Sequence, residues 1–132
     1  MKLLKLTALS FVLASSLAAS PKNAMADDMR SMLHAMNDIQ TAGFYSNKEG
    51  MQEGVKKLKE GLHSLLATDA KAYLPDDKAY ANKFAKKRAS MITLYADDLL
   101  NSLKQNDLEE ALENYAFILK QCTSCHIRLR SY

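Results

Sequence analysis

The chain has 132 residues, 48% of them apolar and 25% charged, with 18 basic side chains against 15 acidic ones. That is enough for one domain with one core, and no segment is low in complexity. The excess of base belongs to the N-terminus, so nothing in the charge argues for a nucleic-acid partner.

Lys2 and Lys5 precede an apolar stretch over residues 6–19, and Ala24-Met25-Ala26 supplies a small-x-small cleavage site. This is the pattern of a secretory signal. It predicts that residues 1–26 are removed and that one mature domain spans residues 27–132. With Thr7, Ser10, Ser15 and Ser16 inside it, the stretch is too short and too polar for a good membrane span. An uncleaved anchor is the competing reading. Loss of Lys2, Lys5 and Lys22 leaves 15 acidic residues balanced by as many basic ones, a nearly neutral mature chain.

The remainder reads as helix throughout, with apolar residues recurring at three–four spacing. A first segment over residues 28–45 repeats Met29, Met32, Met36, Ile39 and Gly43, with Leu33 beside the stripe. A second opens at Ser46 or Asn47, where Ser46 and Glu49 have capping-box spacing. Its stripe is Met51, Val55, Leu58, Leu62 and Leu65. A linker over residues 67–74 leads to Pro75, Asp76 and Asp77, residues suited to a helix start. The third segment then runs to Lys104 with Tyr80, Phe84, Met91, Tyr95, Leu99 and Leu103 on its apolar face. Gln105 and Asn106 break it, and Asp107 with Glu110 caps the fourth. Four amphipathic helices joined by short turns predict an all-α fold, an antiparallel up-down-up-down four-helix bundle.

Along the fourth segment Leu108, Leu112, Tyr115, Leu119, Cys122, His126 and Leu129 alternate fours and threes. Residues so spaced share a helix face, which is predicted to face the core and to carry His126 inward. Cys122-Thr123-Ser124-Cys125-His126 spells CxxCH and holds both cysteines of the chain. Two thiols at this spacing can each add to a vinyl group of one haem, and the adjacent imidazole then reaches the iron. Three other readings compete. A disulfide between residues three apart is sterically awkward. A redox CxxC belongs after a strand, and none is predicted. Zinc takes about four ligands, so His34 or His63 would have to join Cys122, Cys125 and His126. Export favours haem, because thiols outside the bacterial cytoplasm otherwise tend to oxidise.

With CxxCH on the last of four helices, the chain resembles the class II c-type cytochromes, the cytochrome c-prime family. The likeness is architectural over the mature chain and specific only in the last helix. There Asp107-Leu108 opens the helix, and Leu129 and Arg130 follow His126 at the family's spacing. The resemblance implies one covalent haem c, His126 as proximal ligand, and a periplasmic protein often found as a dimer. The family divides on the far side of the iron. In some members that side is open to small gases; in others a Met of the first helix fills it and the protein carries electrons.

Height above the shared end of the bundle favours Met29 as that ligand, then Met32, with Met36 third; the competing role for each is adaptable core filler. The family's Arg four residues before the distal position is missing, since Arg30 is followed at that spacing by His34. His34 and His63 both read as surface residues. Arg88, between Phe84 and Tyr95, suits a bidentate contact to a haem propionate or a stem lying on the core edge. Arg130 is near the haem or complements the helix end.

These residues lead to the expectation of an exported monohaem carrier of single electrons between periplasmic or membrane redox proteins. The alternative is a five-coordinate haem protein that binds nitric oxide or carbon monoxide. The Lys56-Lys57-Lys59 and Lys86-Lys87-Arg88 runs read as solvated faces, or as a docking patch for an acidic partner. No Ser-His-Asp set, carboxylate pair or phosphate loop points to a separate enzyme site.

Overall fold

A computed structural model of the chain describes residues 20–74 and 80–129. They form four helices, α1 (Pro21–Phe44), α2 (Lys48–Ala67), α3 (Ala81–Lys104) and α4 (Leu108–Leu129), with one 3₁₀ turn at Ala70–Ala72. There is no strand among the described residues. The chain runs up, down, up and down through the bundle. α1 packs closely on α2 and α3 on α4, and α2 and α3 make a smaller interface; of the neighbouring pairs, α1 and α4 touch least. No described helix is long and apolar enough to cross a membrane. Residues 1–19 of the expected signal, the expected helix start at Pro75-Asp76-Asp77, and Arg130 lie outside the described residues.

α1 begins earlier than the apolar stripe indicated. Ser20 caps it by accepting the Asn23 N–H at 3.4 Å, and Pro21 takes the first helical position, where its missing N–H is no loss. The helix therefore runs through Ala24-Met25-Ala26, and Met25 is buried in the main core. A chain cut after Ala26 would start α1 at Asp27 and give up that contact.

The two helical hairpins are closed by the same turn. Ser46 (φ 53°) and Asn106 (φ 61°) occupy the left-handed region. Asn47 N–H reaches Ala42 O at 2.9 Å and Asp107 N–H reaches Ser102 O at 2.9 Å, the longer bond of a Schellman motif. Asn47 and Asp107 then cap the following helices, accepting the N–H of Gly50 at 2.9 Å and of Glu110 at 3.0 Å. The Ser46–Glu49 capping box does not form, because Ser46 is spent on the turn and the cap falls to Asn47. Ser46 holds a conformation that costs a non-glycine residue about 1–2 kcal/mol. Ser46→Gly is therefore expected to stabilise the fold by about 1 kcal/mol once glycine's extra chain entropy is subtracted. A higher denaturant midpoint at unchanged slope would register it.

The expected stripes of α1 and α2 are the ones that pack. Met32, Met36, Ile39, Met51, Val55, Leu58, Leu62 and Leu65 are all buried, whereas Leu33 is 59% exposed. α3 and α4 differ. The buried face of α3 is Ala81, Ala85, Ala89, Ile92, Ala96, Leu99 and Leu103, while Tyr80 is exposed and Phe84, Met91 and Tyr95 stand at the flanks. The buried face of α4 is Ala111, Asn114, Ile118, Gln121 and Leu129, and Leu112 and Leu119 are exposed. Small side chains let the two helices approach closely, which drives the bulky ones outward to the edges of the contact. The polar members of the seam are satisfied. Asn114 donates to Glu110 O at 3.0 Å, and Gln121 Oε1 accepts from Arg88 at 2.7 Å.

Candidate cofactor site

Turning the core face of α4 this way leaves the Leu119, Cys122 and His126 edge facing the α1–α4 boundary, the loosest between neighbouring helices. An apolar groove opens there. It is lined by Met29, Met32, Leu33 and Met36 from α1, Leu65 from α2, Ile92 from α3, and Leu119, Cys122, Thr123 and His126 from α4. Of the predicted stripe of α4, Leu119, Cys122 and His126 line this groove and not the close-packed seam, whereas Leu129 is buried in a separate cluster. His126 is half-buried at its wall.

The two cysteines are both thiols, each half-buried, and they face different neighbours. Cys122 packs against the main core. Cys125 packs on a smaller cluster at the same end of the bundle, formed by Ala70, Ala81, Ala85 and Leu129 with Tyr73, Leu74 and Phe84 around it. Burial, and then the nearby Cys125, push the Cys122 thiol up from 9.0 to about 11. Burial, then Cys125 and Asp69, push the Tyr73 hydroxyl to about 12. The Tyr115 hydroxyl is raised too, by burial and then by Cys122.

All three shifts have one sign. Each group is held in its neutral form by the fold, so its contribution to stability is complete below the unfolded pKa and fades as pH rises toward the folded one. For Cys122 the window runs from 9.0 to about 11. The protein is expected to show a falling denaturant midpoint across that window. At pH 8 its Cys122 should react with iodoacetamide more slowly than in the urea-unfolded chain, as peptide mass analysis would register.

Arg88 donates through Nη1 to Gln121, the residue before Cys122, and its guanidinium lies 4.8 Å from the Phe84 ring centroid. Its Nε and the Tyr73 hydroxyl are buried with no hydrogen-bond partner among the described residues. Arg128 approaches the same Phe84 ring at 5.2 Å. Cationic and donor groups therefore cluster beside CxxCH. Tyr73, Gln121 and Arg128 were not singled out from sequence, because a linker tyrosine, a glutamine and a surface arginine carry no motif of their own.

The remaining histidines stand elsewhere. His34 lines an open hollow between α1 and α2 with Asp28, Asp38, Lys57 and Glu60. His63 lies by Gln52, Lys56, Lys59 and Leu100 between α2 and α3. No three His, Cys, Asp or Glu side chains converge as metal ligands among the described residues. The set of four that zinc would need with Cys122 is not assembled there. Lys57 and Lys59 pair with Asp38 at 3.1 Å and Asp97 at 2.6 Å, which leaves less free charge on that face than the lysine run alone indicated.

One contact fixes the register across the groove. A Cβ placed on Gly43 would lie 2.7 Å from Leu112 Cδ2, so these two positions stand level. His126 is 14 residues beyond Leu112 and Met29 is 14 residues before Gly43, about 21 Å along each helix at 1.5 Å per residue. Met29 is therefore level with His126 by backbone height. Helical side chains lean toward their own N-terminus. On antiparallel helices the two leans oppose each other, which brings His126 nearer to the next methionine toward Gly43, Met32.

No family model matches the chain, and no characterised protein or solved structure is significantly similar to it.

Proposed function

We propose that the protein is an exported c-type cytochrome with one covalently attached haem, similar to the class II family, that carries single electrons between periplasmic or membrane redox proteins. The observation that carries this reading is the convergence of Cys122 and His126 with Met29, Met32 and Met36 on one apolar groove. Cys122 and Cys125 would hold the porphyrin through thioethers, His126 would ligate from α4, and Met32 or Met29 would supply a thioether from α1. Bound there, haem would contribute the one-electron iron couple.

Two features of the chain suit that group, and one stands against it. The groove lining is apolar enough to lower the local dielectric and so to tune a potential. Its space, about 190 Å³, is less than the roughly 300–1,000 Å³ of ordinary ligand pockets, so a haem there would have to part α1 from α4, the neighbouring pair that packs least. The buried Nε of Arg88 and hydroxyl of Tyr73 lack acceptors among the described residues, and propionate carboxylates would provide them.

The five-coordinate alternative draws on a different feature. The stem of Met32 is turned against α2, where Gly61 leaves it room, and a methionine that stayed there would leave the far face of the iron open to carbon monoxide or nitric oxide. Optical spectra of the mature protein, produced with haem-attachment machinery, test both readings. A low-spin spectrum indifferent to carbon monoxide, which becomes responsive in Met32→Ala or Met29→Ala, supports the carrier and identifies its ligand. A high-spin spectrum that shifts with the gas supports the binder. A colourless protein with both thiols titratable refutes both.

A further inference from the structure

Gly54 and Gly61 both let α2 approach α1, but they meet different atoms. A Cβ on Gly54 would lie 2.6 Å from Ile39 Cγ1 and 3.2 Å from the backbone O of Ala35 and N of Ile39. A Cβ on Gly61 would lie 2.5 Å from Met32 Cγ and 3.4 Å from Met32 Sδ, with the nearest backbone atom, Asp28 O, at 3.5 Å. Neither glycine has positive φ. Within a helix glycine is less favourable than alanine, so both serve by their size and not by backbone shape. The notch at Gly54 accommodates a core isoleucine away from the groove. The notch at Gly61 accommodates a methionine that is 8% exposed and lines the groove with His126.

From this we infer that Gly61 is a positioning residue: its missing side chain sets how deeply Met32 lies against α2, and so how far the Met32 thioether stands from the His126 side of the groove. The inference rests on the haem reading above and adds a residue to it that touches neither the cofactor nor its attachment sequence. A methyl group at position 61 fills the notch and drives the Met32 stem toward the groove. Methionine is unbranched and has three rotatable bonds, so the stem moves before the helices do. The thioether, seated against α2 in the notch, is carried with the stem toward the side of the groove that His126 lines.

The test compares Gly61→Ala, Gly54→Ala, Met32→Ala and the double variant Gly61→Ala/Met32→Ala, each as mature holoprotein. Gly61→Ala is expected to strengthen the sulfur-to-iron absorption band and to slow carbon monoxide binding about tenfold, the factor that ~1.4 kcal/mol of gained ligation gives. Gly54→Ala is expected to lower Tm with the haem spectrum unchanged. In the double variant the Tm lost through Gly61→Ala should be regained, because removing the Met32 stem removes the clash; a non-additive cycle is the signature of direct contact. That arm also serves if Gly61→Ala alone fails to fold. Should Met32→Ala change the spectrum while Gly61→Ala does not, or should Gly54→Ala and Gly61→Ala alter it alike, Gly61 is merely a packing residue. Should Met32→Ala leave the spectrum intact, Met32 is no ligand, and this inference falls while the attachment through Cys122 and Cys125 stands. A colourless parent protein overturns both.

Discussion

Replacing His126 by Ala is expected to abolish the low-spin spectrum of the mature protein while leaving its colour in the chain after denaturing extraction. The two effects separate because the residues have separate tasks. In the haem reading Cys122 and Cys125 would retain the porphyrin through carbon–sulfur bonds that survive unfolding, whereas His126 would hold the iron only by a coordinate bond. His126 lies at the wall of the α1–α4 groove, so its removal opens a space into which free imidazole can diffuse. Added imidazole should restore the low-spin form. The reduction potential of the uncomplemented variant should move by at least ~60 mV, a tenfold change in a one-electron equilibrium. Arg88→Met acts on a different feature, the charge beside CxxCH, and belongs in the same series as a control. It should shift the potential with the spectrum retained, since Arg88 contacts Gln121 and Phe84 and lines no part of the groove. If His126→Ala kept a low-spin spectrum, another residue would be the proximal ligand.

Where the sequence was informative, bulk and periodicity coincided. α1 and α2 bury the stripes their spacing indicated, because Met51, Val55, Leu58 and Leu62 are both the large and the buried residues of α2. In α3 and α4 the two properties part. Their shared seam is made by Ala85, Ala89, Ala96 and Ala111, with Asn114 and Gln121 between them. An alanine weighs little in a hydrophobic pattern, and a buried amide weighs against it. The pattern therefore followed the bulky Phe84, Tyr95, Leu112 and Leu119 to the flanks. The residues proposed to hold a cofactor were legible despite this, because CxxCH is a chemical signature that does not depend on which face is core. What no pattern could supply was the register across the groove, which needed the Gly43–Leu112 contact. The notch beneath Met32 was equally hidden. A glycine at mid-helix reads as a weakness until its neighbour is known.

Two adjacent residues test that rotation of α4 most directly, because the pattern and the structure assign them opposite roles. Ile118 is fully buried in the main core, and Leu119, the next residue, is 46% exposed at the groove. Ile118→Ala leaves a cavity in a seam whose alanines are too small to fill it, and such truncations cost about 2–5 kcal/mol. Against a total stability of roughly 5–15 kcal/mol that is a large fraction. Tm should fall by at least about 8 °C, since each kcal/mol is worth ~4–8 °C in a domain near this size. The haem spectrum should be unaffected at temperatures where the variant is folded. Leu119→Ala removes a half-solvated side chain and should cost only about 1 kcal/mol, the lower part of the range for surface-to-core substitutions. Its effect should appear instead at the iron, as faster entry of carbon monoxide or imidazole through the groove it borders. If the leucine of this pair carried the stability and the isoleucine the ligand access, α4 would be turned about its axis by one residue, roughly 100°. His126 would then face the seam with α3, and the methionines of α1 would have no part in the site.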